Sequence, residues 1–460
     1  MTLIIKESER DKVVKLGNQY LVLSVIIAFI LLILCTFNGF FIGFPLVLCF
    51  LNFAFIAWRK GYPVNDIIRM SLTGGKKSFI VLRILILVGA ITSLWMASGT
   101  TPAILYYGIQ LIDPKLFILY AFLISSSVSF LLGTSFGTVS TVGLSLILMA
   151  KSGNVDANIA AGAIIAGAYF GDRCSPMSSS ANLVAHLTET YLYPNIKNML
   201  KTGTLPLILS ILFYLMLSLH HPLTFTQNAM APEIVDIFQL HWVTLLPALA
   251  ILILAIVRVD VKISMLVSIV LAMIISFGLQ HYTIQQIFTF TLVGFNLDID
   301  TPLRTILKGG GILSMWKISV IVYVSCCCSG LFAETDILED LDEILLTAKS
   351  RPTTFLMTTV VSIVTAILGC SQTIAIVLTN SLMNKVYVKN KLNRDQLAVD
   401  IENTCVPLSA LIPWNIAAFV LTSTMNVSLI GFIPYAIYLY LLPLTQVISK
   451  RFWVEPLRST

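Results

Sequence analysis

The sequence predicts an all-α polytopic membrane protein made of two inverted-topology repeats, with paired hairpins or short helices and broken transmembrane helices. Three observations lead there. Of 460 residues, 57% are hydrophobic and 11% charged, against roughly 25% charged in an ordinary soluble domain. The apolar residues gather in runs sufficient for about a dozen crossings of ~20 residues each. A polar motif of the first half returns in the second, in the same order and in similar surroundings. The mean hydropathy of +0.90 excludes a soluble enzyme, a disordered scaffold or a nucleic-acid binder.

In chain order the apolar runs are 18–36, 40–58, 79–112, 114–131, 133–150, 157–190, 203–220, 241–257, 262–279, 311–331, 353–369, 372–388, 394–422 and 428–449. Lys6, Arg10, Lys12 and Lys15 precede the first, and no small-residue cleavage pattern follows it. It therefore reads as a transmembrane helix, not a leader. Three runs are interrupted: 79–112 by Gly99-Thr100-Thr101-Pro102, 157–190 by Gly171-Asp172-Arg173-Cys174-Ser175-Pro176, and 394–422 by Asn403-Thr404-Cys405-Val406-Pro407. Irregular backbone at membrane depth persists only where it is buried in protein or lines a watery cavity. Function is expected at these breaks.

Basic residues set the sidedness. By the parity of the runs, 23 of the 29 Lys and Arg fall on one side, and Lys115, Lys151, Arg304, Lys308 and Lys317 on the other. The connection 221–240 carries Glu233 and Asp236 and no Lys or Arg. By the positive-inside rule both termini lie in the cytoplasm of a cell-membrane protein. The net charge of +6 is then explained without an anionic partner. The expected organisation is a cytoplasmic segment 1–17, a first repeat with its connecting helix 18–220, an extracellular connection 221–240, a second repeat 241–449 and a cytoplasmic tail 450–460. The eight cysteines lie in or beside apolar runs without a C-x-x-C pair, as small residues at helix contacts and not as disulfides or zinc ligands.

The repeat rests on two correspondences. Asp172-Arg173-Cys174-Ser175-Pro176-Met177-Ser178 aligns with Asn403-Thr404-Cys405-Val406-Pro407-Leu408-Ser409 at an offset of 231, and Gly133-Thr134-Ser135 with Gly369-Cys370-Ser371 at an offset of 236. Sidedness puts the pair 114–150 on the outer side and the pair 353–388 on the inner side, so the halves mirror each other across the membrane. Inverted repeats with interrupted helices are the mark of secondary transporters that bind near the midplane and alternate access.

Asp172 is the focus of that expectation. A carboxylate in an apolar run costs several kcal/mol unless paired, protonated or solvated. Arg173 offers a structural pair; the break offers carbonyls for a cation such as Na⁺, and Pro176 frees one of them a turn back. Ser175, Ser178, Ser179 and Asn182 surround Asp172 in sequence, and Glu402, Asn403, Ser409 and Asn415 stand across the repeat. Glu402 is the second deep carboxylate and a second place for Na⁺. Thr134, Ser135, Ser371 and Gln372 occupy the tips of the paired segments and are expected to bind. About half of the hydroxyls in 125–145 are expected to bond only to their own backbone. His186 reads as a polar lining or boundary residue with a lesser claim to a proton role. No G-x-x-x-x-G-K-[ST] or H-E-x-x-H occurs, which argues against ATP as driving force and against an enzyme; no cofactor is expected.

These residues resemble a known family. Gly167-Ala168-Tyr169-Phe170-Gly171-Asp172-Arg173-Cys174-Ser175-Pro176-Met177-Ser178-Ser179-Ser180-Ala181-Asn182-Leu183 is similar to the first signature of the NhaC-type sodium/proton antiporters. Met199-Leu200-Lys201-Thr202-Gly203-Thr204-Leu205-Pro206 resembles the stretch that follows it, and Glu402-Asn403 with Leu411-Ile412-Pro413-Trp414-Asn415 the family's acidic pair and later I-P-W-N. The resemblance implies an ion transporter that exchanges Na⁺ and H⁺ or couples them to an organic solute, with homodimers an option. Ser179, Asn403 and Ser371 stand where that family has or admits acids. Two variants stay open: Na⁺/H⁺ antiport, or proton- or sodium-coupled transport of an amino acid or carboxylate.

Overall fold

The computed structural model describes residues 27, 30–35, 38, 40–224, 230–257, 259–297, 307–334 and 345–452. The expected segment 1–17, most of run 18–36 and the tail beyond 452 lie outside the described residues. The described chain is helical, with one isolated β-bridge between Phe295 and Gly309. Its helices are α1 (Gly43–Arg59), α2 (Val64–Ala97), α3 (Thr100–Leu111), α4 (Phe117–Leu132), α5 (Ser135–Thr138), α6 (Leu144–Ser152), α7 (Ala157–Cys174), α8 (Ser179–Leu187), α9 (Leu192–His220) and α10 (Met230–Ile237). They continue as α11 (Leu246–Ile256), α12 (Val261–Gly278), α13 (Ile284–Val293), α14 (Trp316–Glu334), α15 (Arg351–Gly369), α16 (Gln372–Lys389), α17 (Arg394–Ser409), α18 (Ile416–Met425) and α19 (Ile437–Phe452).

Five of the described segments have the length and apolarity of a membrane span: Val64–Ala97, Pro114–Leu132, Leu192–His220, Ile312–Leu331 and Arg351–Gly369. Leu205, Ile208, Leu212, Met216 and Leu219 of α9 stand exposed, which in water would be an aggregation hazard and against lipid is the stable arrangement. The chain is an all-α polytopic membrane protein.

Two packing groups follow from the helix contacts. The first runs α2 along α14, with α1 and α12 beside them. Gly74 makes that seam possible, since a Cβ there would meet the Cys326 carbonyl oxygen at 2.3 Å. The second group packs α4 along α7, joins α15, α16 and α17 to one another, and ties both sets together through α9 and α19.

The element boundaries depart from the sequence reading in several places, α2 beginning at Val64 where the run is set at 79 and α19 at Ile437 where the run is set at 428. α17 runs past Asn403–Pro407 to Ser409, and the interruption falls at 410–415. Pro407 offers no N–H to the Asn403 carbonyl one turn back, yet the helix continues through it for two more residues before the chain turns. α9 begins at Leu192 rather than at 203. α10 and α13 occupy stretches without an assigned apolar run.

Candidate functional site

Two chain reversals of the same local form approach this site. α4 ends on Gly133 in the left-handed region (φ +68°), followed by extended Thr134 (φ −152°). α15 ends on left-handed Cys370 (φ +49°), followed by extended Ser371 (φ −148°). A left-handed residue then an extended one lets each helix stop and the next begin within two residues. At the first tip glycine is required twice over. A Cβ on Gly133 would lie 2.4 Å from the Met177 carbonyl carbon and 2.7 Å from the Ser178 nitrogen. The first tip therefore rests directly on the segment joining α7 to α8. The second tip rests on the segment joining α17 to α18: Asn415 Nδ2 donates to the Ala366 carbonyl (2.9 Å), Trp414 Nε1 to the Ile367 carbonyl (3.1 Å), and the Ile416 N–H to the Cys370 carbonyl (2.9 Å).

Asp172 lies in the last turn of α7, 6% exposed. Ser135 Oγ donates to its Oδ2 at 2.9 Å and Ser178 Oγ to its Oδ1 at 3.3 Å. One hydroxyl comes from the first tip and the other from the N-cap of α8. Pro176 leaves the Asp172 carbonyl without a backbone donor, and Ser180 Oγ takes it at 3.1 Å. Among the described residues no Lys or Arg pairs with this carboxylate. Arg173 turns away from it. Its guanidinium donates to Tyr438 Oη (2.9 Å), the Met199 carbonyl (2.6 Å), Thr202 Oγ1 (3.1 Å) and Cys174 Sγ (3.3 Å). The structural Asp172–Arg173 pair that the sequence allowed does not form.

Glu402 on α17 is 1% exposed, and neither carboxylate oxygen meets a hydrogen-bond donor among the described residues. Asn403, fully buried beside it, exchanges hydrogen bonds with Thr202 Oγ1 at 3.4–3.5 Å. Thr202 thereby joins the Arg173 side of α7 to α17.

The other expected residues divide. Gln372, the first residue of α16, accepts from Tyr169 Oη at 3.2 Å and lies near Asp172. Ser371 is half-buried at the second tip without a side-chain cap bond. Thr134 caps α5 by accepting from the Gly137 N–H (3.4 Å), and Ser175 Oγ accepts from the Met177 N–H (3.1 Å). Ser409 returns to its own helix at the Cys405 carbonyl (2.7 Å), and Asn415 caps α18. Ser179, Asn182 and His186 are exposed on α8. The site thus gathers Asp172, Ser135, Ser178 and Gln372, with Glu402 and Asn403 behind Arg173.

Two residues were missed. Tyr169, one turn before Asp172 and 1% exposed, shares its helix face at i, i+3 spacing; that spacing was the available signal. Asp400 is fully buried between Arg351 (2.5 Å), Lys450 and the Tyr387 hydroxyl (2.5 Å). Its cationic partners are 49 and 50 residues away in sequence, and no local pattern announces them.

A deeply buried carboxylate without a cationic partner among the described residues, met by hydroxyls in a multi-pass helical protein, defines the class of ion-handling membrane transporters. The sequence profile of the Na⁺/H⁺ antiporter family matches residues 167–449, and the chain belongs to that family. It is a transporter, not an enzyme. It is 29% identical over 411 residues to the Na⁺/H⁺ antiporter NhaC of Alkalihalophilus pseudofirmus, covering 88% of each chain. It is 28% identical over 417 residues to the Na⁺/H⁺ antiporter NhaC of Bacillus subtilis, covering 88% of this chain and 91% of the relative. The malate-2H⁺/Na⁺-lactate antiporter of Bacillus subtilis is 26% identical over 440 residues, with 92% of each chain covered.

Proposed function

We propose that this chain exchanges Na⁺ for H⁺ across the cell membrane by alternating access, with Asp172 as the group that the two cations share. The observation that carries the proposal is the Asp172 carboxylate, buried without a cationic partner among the described residues and bonded by the Ser135 and Ser178 hydroxyls. A carboxylate with hydroxyl and carbonyl oxygens suits a hard cation, and buried without one it favours its protonated form. Na⁺ and H⁺ are then alternative occupants, which is the requirement of antiport. In this reading both termini face the cytoplasm, and the two tips belong to inverted repeats whose relative movement exposes Asp172 first to one side and then to the other. Glu402, buried and without hydrogen-bond partners among the described residues, is the second acid available to carry a proton.

In everted vesicles, wild-type protein is expected to dissipate a preformed pH gradient when Na⁺ is added, and Asp172→Asn to lose that response while still reaching the membrane. A wild-type protein indifferent to Na⁺ and Li⁺ would sink the proposal.

One observation favours a second reading. Asparagine at 403 leaves the site with few charges, and a relative of comparable coverage is named for malate and lactate exchange. Gradient dissipation driven by a hydroxy acid in the absence of a Na⁺ response would select coupled transport of an organic acid instead.

A further inference from the structure

Tyr169 joins the two halves of the site. Its ring lies in the core of α7, 1% exposed, while its hydroxyl reaches the first residue of α16 and donates to Gln372 Oε1 at 3.2 Å. The same hydroxyl neighbours Ser135 and Asp172. A primary amide has an acceptor end and a donor end. With the oxygen of Gln372 held by Tyr169, the NH₂ end is left for the carboxylate of Asp172, beside which Gln372 stands. The second tip therefore touches the site through one oriented amide, and Tyr169 fixes which way it points.

We propose that Tyr169 is a positioning residue that holds the Gln372 amide with its NH₂ end towards Asp172, so that cation entry must displace this donor and thereby report to the second hairpin. This inference rests on the reading of Asp172 as the Na⁺ site. An N–H donor stabilises the empty carboxylate and repels a cation placed on it. Na⁺ binding therefore has to turn or withdraw Gln372, and the movement is passed to α16. Tyr169 stops the amide from rotating to present its oxygen as an additional ligand, which would tighten Na⁺ binding and slow its release.

The test is the KM for Na⁺ against kcat in proteoliposomes. Tyr169→Phe is expected to lower the KM for Na⁺ by about threefold or more, on the scale of one hydrogen bond, and to lower kcat as release becomes slower. A loosened site without this positioning role would raise KM instead. Because Tyr169 is buried, the half-buried Gln372 supplies a second variant: Gln372→Met removes the competing donor and is also expected to lower KM. Unchanged or raised KM values in both variants overturn the inference while leaving the Asp172 site standing. A wild-type protein without saturable Na⁺ dependence overturns the underlying reading itself.

Discussion

At Gly133 the backbone angle and the space around the residue make the same demand. A side chain there must adopt a conformation that L-residues rarely take, against the Met177–Ser178 backbone. Gly133→Ala is expected to cost about 1–3 kcal/mol and to displace Ser135 from Asp172, read as a lower melting temperature together with weaker Na⁺-dependent stabilisation. Other residue-level expectations follow from local chemistry and were legible in the sequence. Thr138, Ser140 and Thr141 bond to the Thr134, Phe136 and Gly137 carbonyls, as hydroxyls in helices commonly do, whereas Ser135 at the tip is turned to Asp172. The carbonyl freed by Pro176 was legible as well, though its partner Ser180 was not named as such. The direction of Arg173 was illegible, because Tyr438 is 265 positions away and only tertiary packing brings it there. Gly203 completes that pocket, since a Cβ on it would lie 2.8 Å from the guanidinium Nη1.

Helices were found where apolar runs were dense, and misplaced where the run was not the deciding force. α16 was read as 372–388 and spans Gln372–Lys389, because its start is a chain reversal and its end a basic turn. α17 is expected to break near Asn403, yet it runs through Pro407 to Ser409 and the interruption follows it. α10 and α13 are short, and their residues showed too brief an apolar pattern to be assigned. The ends of the short helices carry their own prediction. Lys151 Nζ donates to the Met425 and Asn426 carbonyls at 3.0 and 3.1 Å, which satisfies the open C-terminal end of α18 and places a cation at its negative pole. Lys151→Met is expected to destabilise the protein by about 1 kcal/mol, measured as a small fall in melting temperature, and a variant as stable as wild type would remove that cap from the account.

For the whole molecule, composition and hydropathy sufficed to identify a polytopic helical membrane protein, since a bilayer imposes its own period and length on the chain. They did not reveal how the segments assemble. The Asp400 cluster shows why: it draws on Arg351 at the start of α15, Tyr387 in α16 and Lys450 in α19, with Lys450 also 3.7 Å from the centre of the Phe355 ring. Four helices of the second packing group meet on one carboxylate. Removing its charge leaves two cations facing each other, and breaking a buried pair costs about 3–5 kcal/mol. Asp400→Asn is therefore expected to lower the melting temperature markedly, whereas Asp172→Asn, which leaves no stranded charge, is expected to fold normally and lose transport.

That contrast separates the acid that holds the bundle together from the acid assigned to the cation, and the second assignment has a direct check. Adding Na⁺ to purified protein in weakly buffered detergent solution, with pH followed by an indicator dye, reads whether Na⁺ and H⁺ compete for one group. The wild type is expected to release protons on Na⁺ addition and Asp172→Asn to release none. Saturable Na⁺ binding with no proton release, or equal release from both proteins, would contradict that assignment.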